Sequence, residues 1–235
     1  MASRPIFIPN STGPTLVDTR HVEFKWFPGL SASQKQKSVE SLHQAAKEQI
    51  SSLTDVLEVS SKSKLDLGIA LSAFNLTITT LKNNLTFSVE CAFQGSKVFE
   101  HGGPYRDIFS LTSREAKKDE RIKSSGRLTA FQFFGTEWPL EPRTAFYDWL
   151  YINALKKHPL IATQLTLYSA FTDIEFNPER SINCQAYSVA LFIALEQRGL
   201  LEQAASSKDA FLEIVESAKV SNTHRDDTIQ GDLLS

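Results

Sequence analysis

The hydrophobic and polar positions along this chain change period several times, and each change predicts an element. Residues 1–20, rich in Pro, Ser and Thr, read as an extended lead-in. HVEFKWF (21–27) alternates apolar and polar residues as a half-buried strand does, and Pro28-Gly29 ends it. Residues 31–49 read as a polar helix of modest amphipathicity. VLEVSS (56–61) and AFNLTITTL (73–81) have strand character, with Lys82-Asn83-Asn84 as a turn and LTFSV (85–89) as the return strand. From there the pattern is mainly helical. Helices are predicted over 88–99, 143–157, 159–170 and 182–197, and over 112–123 behind the Thr112-Ser-Arg-Glu115 capping box. Gly199 stops the helix before it, and Ser207 caps a last one to 219. Residues 128–135 read as a strand, 138–142 as a loop and 173–178 as an extended segment. The tail from Ser221 is polar.

One of these helices has an inverted pattern. In FSVECAFQGSKVFEHGGPYRDIF (87–109), Glu90, Gln94 and Lys97 fall at i, i+4 and i+7 and share one stripe. Around them, Val89, Ala92, Phe93, Val98 and Phe99 are apolar, while Cys91, Gly95 and Ser96 are small. A surface helix shows an apolar stripe on a polar cylinder, the reverse of this one. Burying an unpaired charge is costly, so the three side chains pair with one another or line a wet cleft. Two readings stay open on pattern alone. One is an internal polar network that fixes helix packing. The other is a carboxylate and an amine converging on a substrate, with Gln94 as a positioning hydrogen bonder. Apolar surroundings raise a carboxyl's pKa and a nearby ammonium opposes the rise, which suits Glu90 to general acid or base work near neutral pH.

Composition narrows the class without choosing between these readings. The 235 residues are 41% hydrophobic and 22% charged, with sixteen Phe, which is ordinary globular material. Small strands and many helices, without the regular βαβ alternation of a doubly wound sheet, predict an α+β fold, a mainly helical single domain with a few short strands. A formal net charge of -2 offers no overall basic field, so any nucleic-acid contact is confined to a local patch. Two cysteines, Cys91 and Cys184, are too few for a disulfide framework. The start of the chain lacks an apolar h-region, and no apolar run is long enough to cross a bilayer. A soluble, cytoplasmic protein without a membrane contact is the expectation.

Other residues have chemistry on offer. Gly102-Gly103-Pro104 either ends a helix or brings backbone amides close to an anion such as a phosphate, with Tyr105 and Arg106 beside it. Trp149, Asn153 and Phe146 lie at helical spacing, where aromatics serve the core more often than a ligand. Asp148 falls on the face expected to be solvated. Asp173 and Glu175 share a face of the extended segment, and Asn183 sits near a helix start. The five histidines, His43, His101 and His224 among them, show no metal-ligand spacing, so neither a metal nor a cofactor is expected.

The order of segments then resembles the NADAR family. ALSAFNLTI, FSVECAFQGSKVF and SREAKK follow that family's S-N-F, S-x-E-H-x-x-Q-x-x-K and x-E-A-K segments, and LKKHPLIATQL, FTDIE and INCQAYSVALFIAL look like its closing ones. The resemblance covers about residues 56–200, and E-x-x-x-Q-x-x-K is its most specific part. Glu90, Gln94 and Lys97 match the family helix, Phe74 the Phe of S-N-F, and Asn183 the Asn before the last core helix. The family's His is Cys91 here, its S-N-F Asn falls at Ala73 with Asn75 as a stand-in, and FNPERS replaces a Trp-Gly-rich loop. A Lys usual before a helix break falls near Ala154.

That resemblance implies an N-glycosidase acting on nucleotide-derived substrates. HVEFKWFPGLS and FYDWLYINAL look most like the branch of antitoxins beside DarT-type toxins, which attach ADP-ribose to guanine in DNA. It implies Glu90 and Lys97 as catalytic residues, and Phe74, Asn75, Gln94, Gly102, Gly103, Tyr105, Trp149 and Asn183 as substrate-binding ones. ADP-ribosylated DNA is then the substrate, a cognate DarT-type toxin the protein partner and a monomer the expected state. The expected organisation is an N-terminal extension (1–55), a catalytic domain (56–220) and a polar tail (221–235). Two other functions fit the same family: a glycosidase for free nucleotides such as riboflavin-pathway intermediates, and an antitoxin that silences its toxin by contact without catalysis.

Overall fold

The computed structural model describes residues 1–81 and 84–218, so Lys82 and Asn83 of the expected Lys82-Asn83-Asn84 turn and the tail from Ser221 lie outside the described residues. The expected lead-in is instead half of a hairpin. β1 (Ala2–Pro9) pairs antiparallel with β2 (Val17–Phe24) along its whole length. Asn10 shapes the turn, its Oδ1 accepting from the N–H groups of Thr12 (3.1 Å) and Gly13 (2.7 Å). Alternation was hard to see in β1 because both its faces are buried: Ile6 enters one core cluster and Phe7 another.

β1 lies between its hairpin partner and a strand from far along the chain. The sheet order is β2-β1-β9-β3, with β9 (Ala170–Thr172) parallel to β3 (Val56–Glu58) and opposed to β1 at Phe7 and Phe171. α1 (Ala32–Gln49), capped by Ser31, covers one face through Val39, Leu42 and Ala46. The other face meets the main core and α8 (Gln185–Gln197). Arg198, just past α8, donates to the carbonyls of Asn10 (2.9 Å), Gly13 (2.8 Å) and Thr15 (2.6 Å), which fastens the hairpin turn to the helical core.

The rest is helical with two smaller sheets, giving an α+β fold in one domain. β4 (Thr77–Thr79) pairs with β5 (Thr86–Ser88), and β6 (Lys97–Phe99), β7 (Leu128–Phe133) and β8 (Thr136–Trp138) form an antiparallel sheet. So β4 is shorter than its predicted strand, α2 (Asp66–Ala70) precedes it, and Trp138 belongs to a strand, not a loop. The predicted 112–123 helix divides into α4 (Ser113–Lys118) and α5 (Arg121–Ser124), because Asp119 Oδ1 turns back to accept from the Arg121 N–H (3.0 Å). Its capping box is present as expected. Beyond them come α6 (Ala145–Lys156), α7 (Pro159–Leu165), α9 (Leu201–Ser206) and α10 (Lys208–Ser217).

α6 and α8 form the centre of the core and are apolar on nearly every face. That overturns the solvated placement of Asp148. α6 packs against α3, α8 and α10, so Asp148 is buried and accepts from Ser188 Oγ (2.6 Å). Burial pushes its carboxyl up to about 7. Residues 173–178 are likewise not extended. Asp173 Oδ1 accepts from the N–H groups of Glu175 (2.9 Å) and Phe176 (3.2 Å), a turn that buries Asp173 and leaves Glu175 half-exposed beside Lys35 and Lys62. Among the described residues no helix is long and apolar enough to cross a membrane.

Candidate functional site

The inverted helix is shorter than its pattern predicts. α3 (Val89–Gly95) begins at Ser88, whose Oγ accepts from the Cys91 N–H (3.1 Å), and ends before Ser96. Gly95 lies against Phe109, where an added Cβ would fall 2.6 Å from the ring. Val98 and Phe99 then favour the strand geometry of β6, which pairs with β7. Lys97 therefore stands on a strand and not on the stripe with Glu90 and Gln94. Lys97 still lies near enough for the charge of Glu90 to act on its amine.

Glu90 and Gln94 are only 7% and 8% exposed. Gln94 Nε2 donates to Glu90 Oε1 (2.9 Å), and the Glu90 N–H donates to the carbonyl of Ala73 (2.9 Å). The Lys97 ammonium sits 5.0 Å above the ring of Phe93. Burial lowers the pKa of this amine to about 8; the charge of Glu90 opposes the fall and that of Lys117 adds to it. Lys117 in turn lies 5.4 Å over the ring of Phe74. Tyr147 completes the group from α6: its ring meets Phe93 edge-on at 5.2 Å, and burial, then the charge of Glu90, holds its phenol in the neutral form.

Two of these residues, Lys117 and Tyr147, are absent from the candidates read in the sequence. Lys117 was visible as the Lys of the E-A-K segment. Tyr147 had no local signal, since only the packing of α6 on α3 brings it to Glu90.

The other candidates scatter. Phe74 is at the rim, 37% exposed, with its carbonyl 2.8 Å from Ser113 Oγ. Asn75 is exposed and donates to the carbonyl of Ile69 (2.8 Å). Asn183 precedes the Cys184 cap of α8, with Oδ1 buried and unpartnered. Gln94 Oε1 and Ser72 Oγ are buried without partners as well, so hydrogen-bonding capacity is held in reserve here. Trp149 is on the opposite side of α6 from Tyr147, against Trp138 at 4.9 Å. The Arg121 guanidinium lies 4.5 Å over the ring of Tyr105.

Gly103 packs against the Lys97 backbone, while Gly102 lies against Tyr105 with its N–H turned to the Phe99 carbonyl (3.5 Å). Gly103 has φ +83°, and a Cβ there would fall 2.2 Å from the Lys97 carbonyl oxygen. Gly103→Ala is therefore expected to destabilise the chain by about 2 kcal/mol, measured by urea unfolding. An unchanged midpoint would show that β6 gives way freely.

A second buried carboxyl cluster underlies the four-stranded sheet. Glu58 Oε1 accepts from Ser60 Oγ (2.5 Å) and the Ile174 N–H (2.9 Å), and Oε2 from Thr172 Oγ1 (2.7 Å), which lies 2.8 Å from His43 Nε2. Burial first, and the mutual repulsion with Asp173 second, push the Glu58 carboxyl well up. Away from all this, a shallow depression of about 470 Å³ marks the outer face of α1 beside His43. No group of three or more His, Cys, Asp or Glu placed to hold a metal occurs among the described residues.

The chain thus has an α+β core with a buried carboxylate and amide on α3 and a half-buried amine on β6, and a family model matches its residues 2–225. The family is that of the DarT1-associated NADAR antitoxins, and this chain belongs to it. Among curated proteins, none matches the chain.

Proposed function

We propose that this chain is an N-glycosidase that removes ADP-ribose from guanine bases of DNA and so reverses the work of a DarT-type toxin. The observation that carries this reading is a buried carboxylate, Glu90, oriented by Gln94 and facing a Lys97 amine that burial has brought down to about 8. Cleaving a ribose C1–N bond needs a proton for the departing base and a partner for the electron-poor C1, and these two groups supply both. Glu90 donates a proton to the base nitrogen as the bond breaks and takes one back from the incoming water. Lys97 has two roles open to it. As a nucleophile its neutral amine adds to C1 of the opened sugar as the base leaves, and water then releases ADP-ribose from the imine and restores the amine. As an orienting group it stays an ammonium and holds Glu90 and the ribose.

Phe74 offers an exposed ring and Gln94 and Asn183 offer free acceptors, and in this reading the Gly102-Gly103 turn takes a phosphate. The test is release of free ADP-ribose from a single-stranded oligonucleotide carrying ADP-ribosyl-guanine. No release by the wild type would overturn the reading.

Borohydride separates the two roles of Lys97. Added during turnover, it traps a Lys97 adduct if the amine is the nucleophile and none if it stays an orienting ammonium.

A further inference from the structure

α4 carries a row of cations that its neighbours leave free. Arg114, Lys117 and Lys118 lie at i, i+3 and i+4, so they share one face, and all three are exposed without an ion pair among the described residues. The carboxylates interleaved with them are mostly spoken for. Glu115 Oε2 accepts from the N–H (2.9 Å) and hydroxyl (2.7 Å) of Thr112, and Asp107 and Asp119 both take the Arg121 guanidinium at 2.7 Å. Residues 106–127 hold seven cations against four carboxylates in a chain of net charge -2. The row also has an aromatic floor. Its middle member, Lys117, lies over the exposed ring of Phe74, and Ser113 ties the Phe74 carbonyl to the start of α4.

Free cations beside an exposed ring are what a single nucleic-acid strand uses: phosphates follow the charges and an unpaired base stacks on the ring, a face that a duplex does not present. We propose that the Arg114–Lys118 face of α4, with Phe74, is the track for the single DNA strand flanking the modified guanine. The track opens onto the site because Lys117 lies close enough for its charge to act on Lys97. The proposal rests on the reading of that site as a DNA glycosidase, and its test separates the two.

Binding of an unmodified single-stranded thymine 12-mer, followed by fluorescence anisotropy, involves no catalysis. The double variant Arg114→Ala, Lys118→Ala is expected to bind it about tenfold more weakly at low salt. Its slope of log affinity on log salt should shrink by about 1.4, some 0.7 for each phosphate no longer neutralised. Lys25→Ala, Lys37→Ala, an equal change of charge on exposed residues elsewhere, should leave both values in place. Phe74→Ala should weaken binding without altering the slope. Equal weakening in the two double variants would reduce the effect to overall charge and overturn the track. So would unchanged DNA affinity in the α4 variant, and if that variant also failed to capture a purified DarT-type toxin, the face would belong to a protein partner. Wild-type protein that binds DNA through α4 yet releases no ADP-ribose would sink the glycosidase and keep the track. ADP-ribose release from the modified strand that is the same with or without Arg114 and Lys118 would do the opposite.

Discussion

Glu90→Gln is expected to lower the rate of ADP-ribose release by about 10³-fold, the usual worth of a positioned general acid or base. The substitution keeps the volume and the carbonyl oxygen that accepts from Gln94, so the local geometry has no reason to move. It also adds an amide donor to a side chain already bonded to Gln94, whose Oε1 is buried and unpartnered in the native chain. The unfolding midpoint should therefore hold while the rate collapses. Chromatography of the reaction, with a melt of the same samples, checks both halves. A variant that keeps its activity would return Glu90 to a packing role, and one that loses both activity and stability would say that the carboxylate supports the helix.

The largest stability effect is expected at Glu58. Glu58→Ala leaves the Ile174 N–H and the hydroxyls of Ser60 and Thr172 buried without their acceptor and uncouples His43 of α1 from β9. A loss of about 3–5 kcal/mol follows, or a Tm lower by roughly 10 °C. Glu58 also governs the response to pH. Its carboxyl is raised in the folded chain by burial and the charge of Asp173, that of Asp173 by burial and the charge of Glu175, and Asp148 is raised to about 7 by burial. The folded chain thus keeps protons that the unfolded chain gives up, and stability is lost as pH rises through the folded values. His43 works the other way, since burial lowers it to about 4 and its effect is confined between that value and its ordinary 6.5. Between pH 6.5 and 8 the carboxyls act alone, so Tm should fall over that interval. In Glu58→Gln the fall should be much smaller. A Tm that rises over the interval would mean the carboxyls are ionised in the folded state.

Local signals were legible in the sequence and distant ones were not. The Thr112–Glu115 capping box, the Ser207 cap and the Gly199 stop each depend on a few neighbouring residues, and each is found where expected. β1 was missed because its second buried face is created by α8, nearly two hundred positions away. Asp148 was misplaced because a helix covered on several sides has no period to read. The site shows the same division. Glu90 and Gln94 were legible as one turn of helix, whereas Lys97 reaches them by way of a strand and Tyr147 from another helix altogether.

The hairpin held by Arg198 also determines how this chain can be cut. β1 occupies one edge of β9, so a shortened chain that starts after the hairpin would leave that edge as a row of unpaired donors and acceptors. Such an edge recruits other strands, and truncates of this kind would self-associate. A search for a toxin-contacting region by trimming from the N-terminus would then report aggregation whether or not there is recognition to lose, and point substitutions on the intact chain are the sounder test.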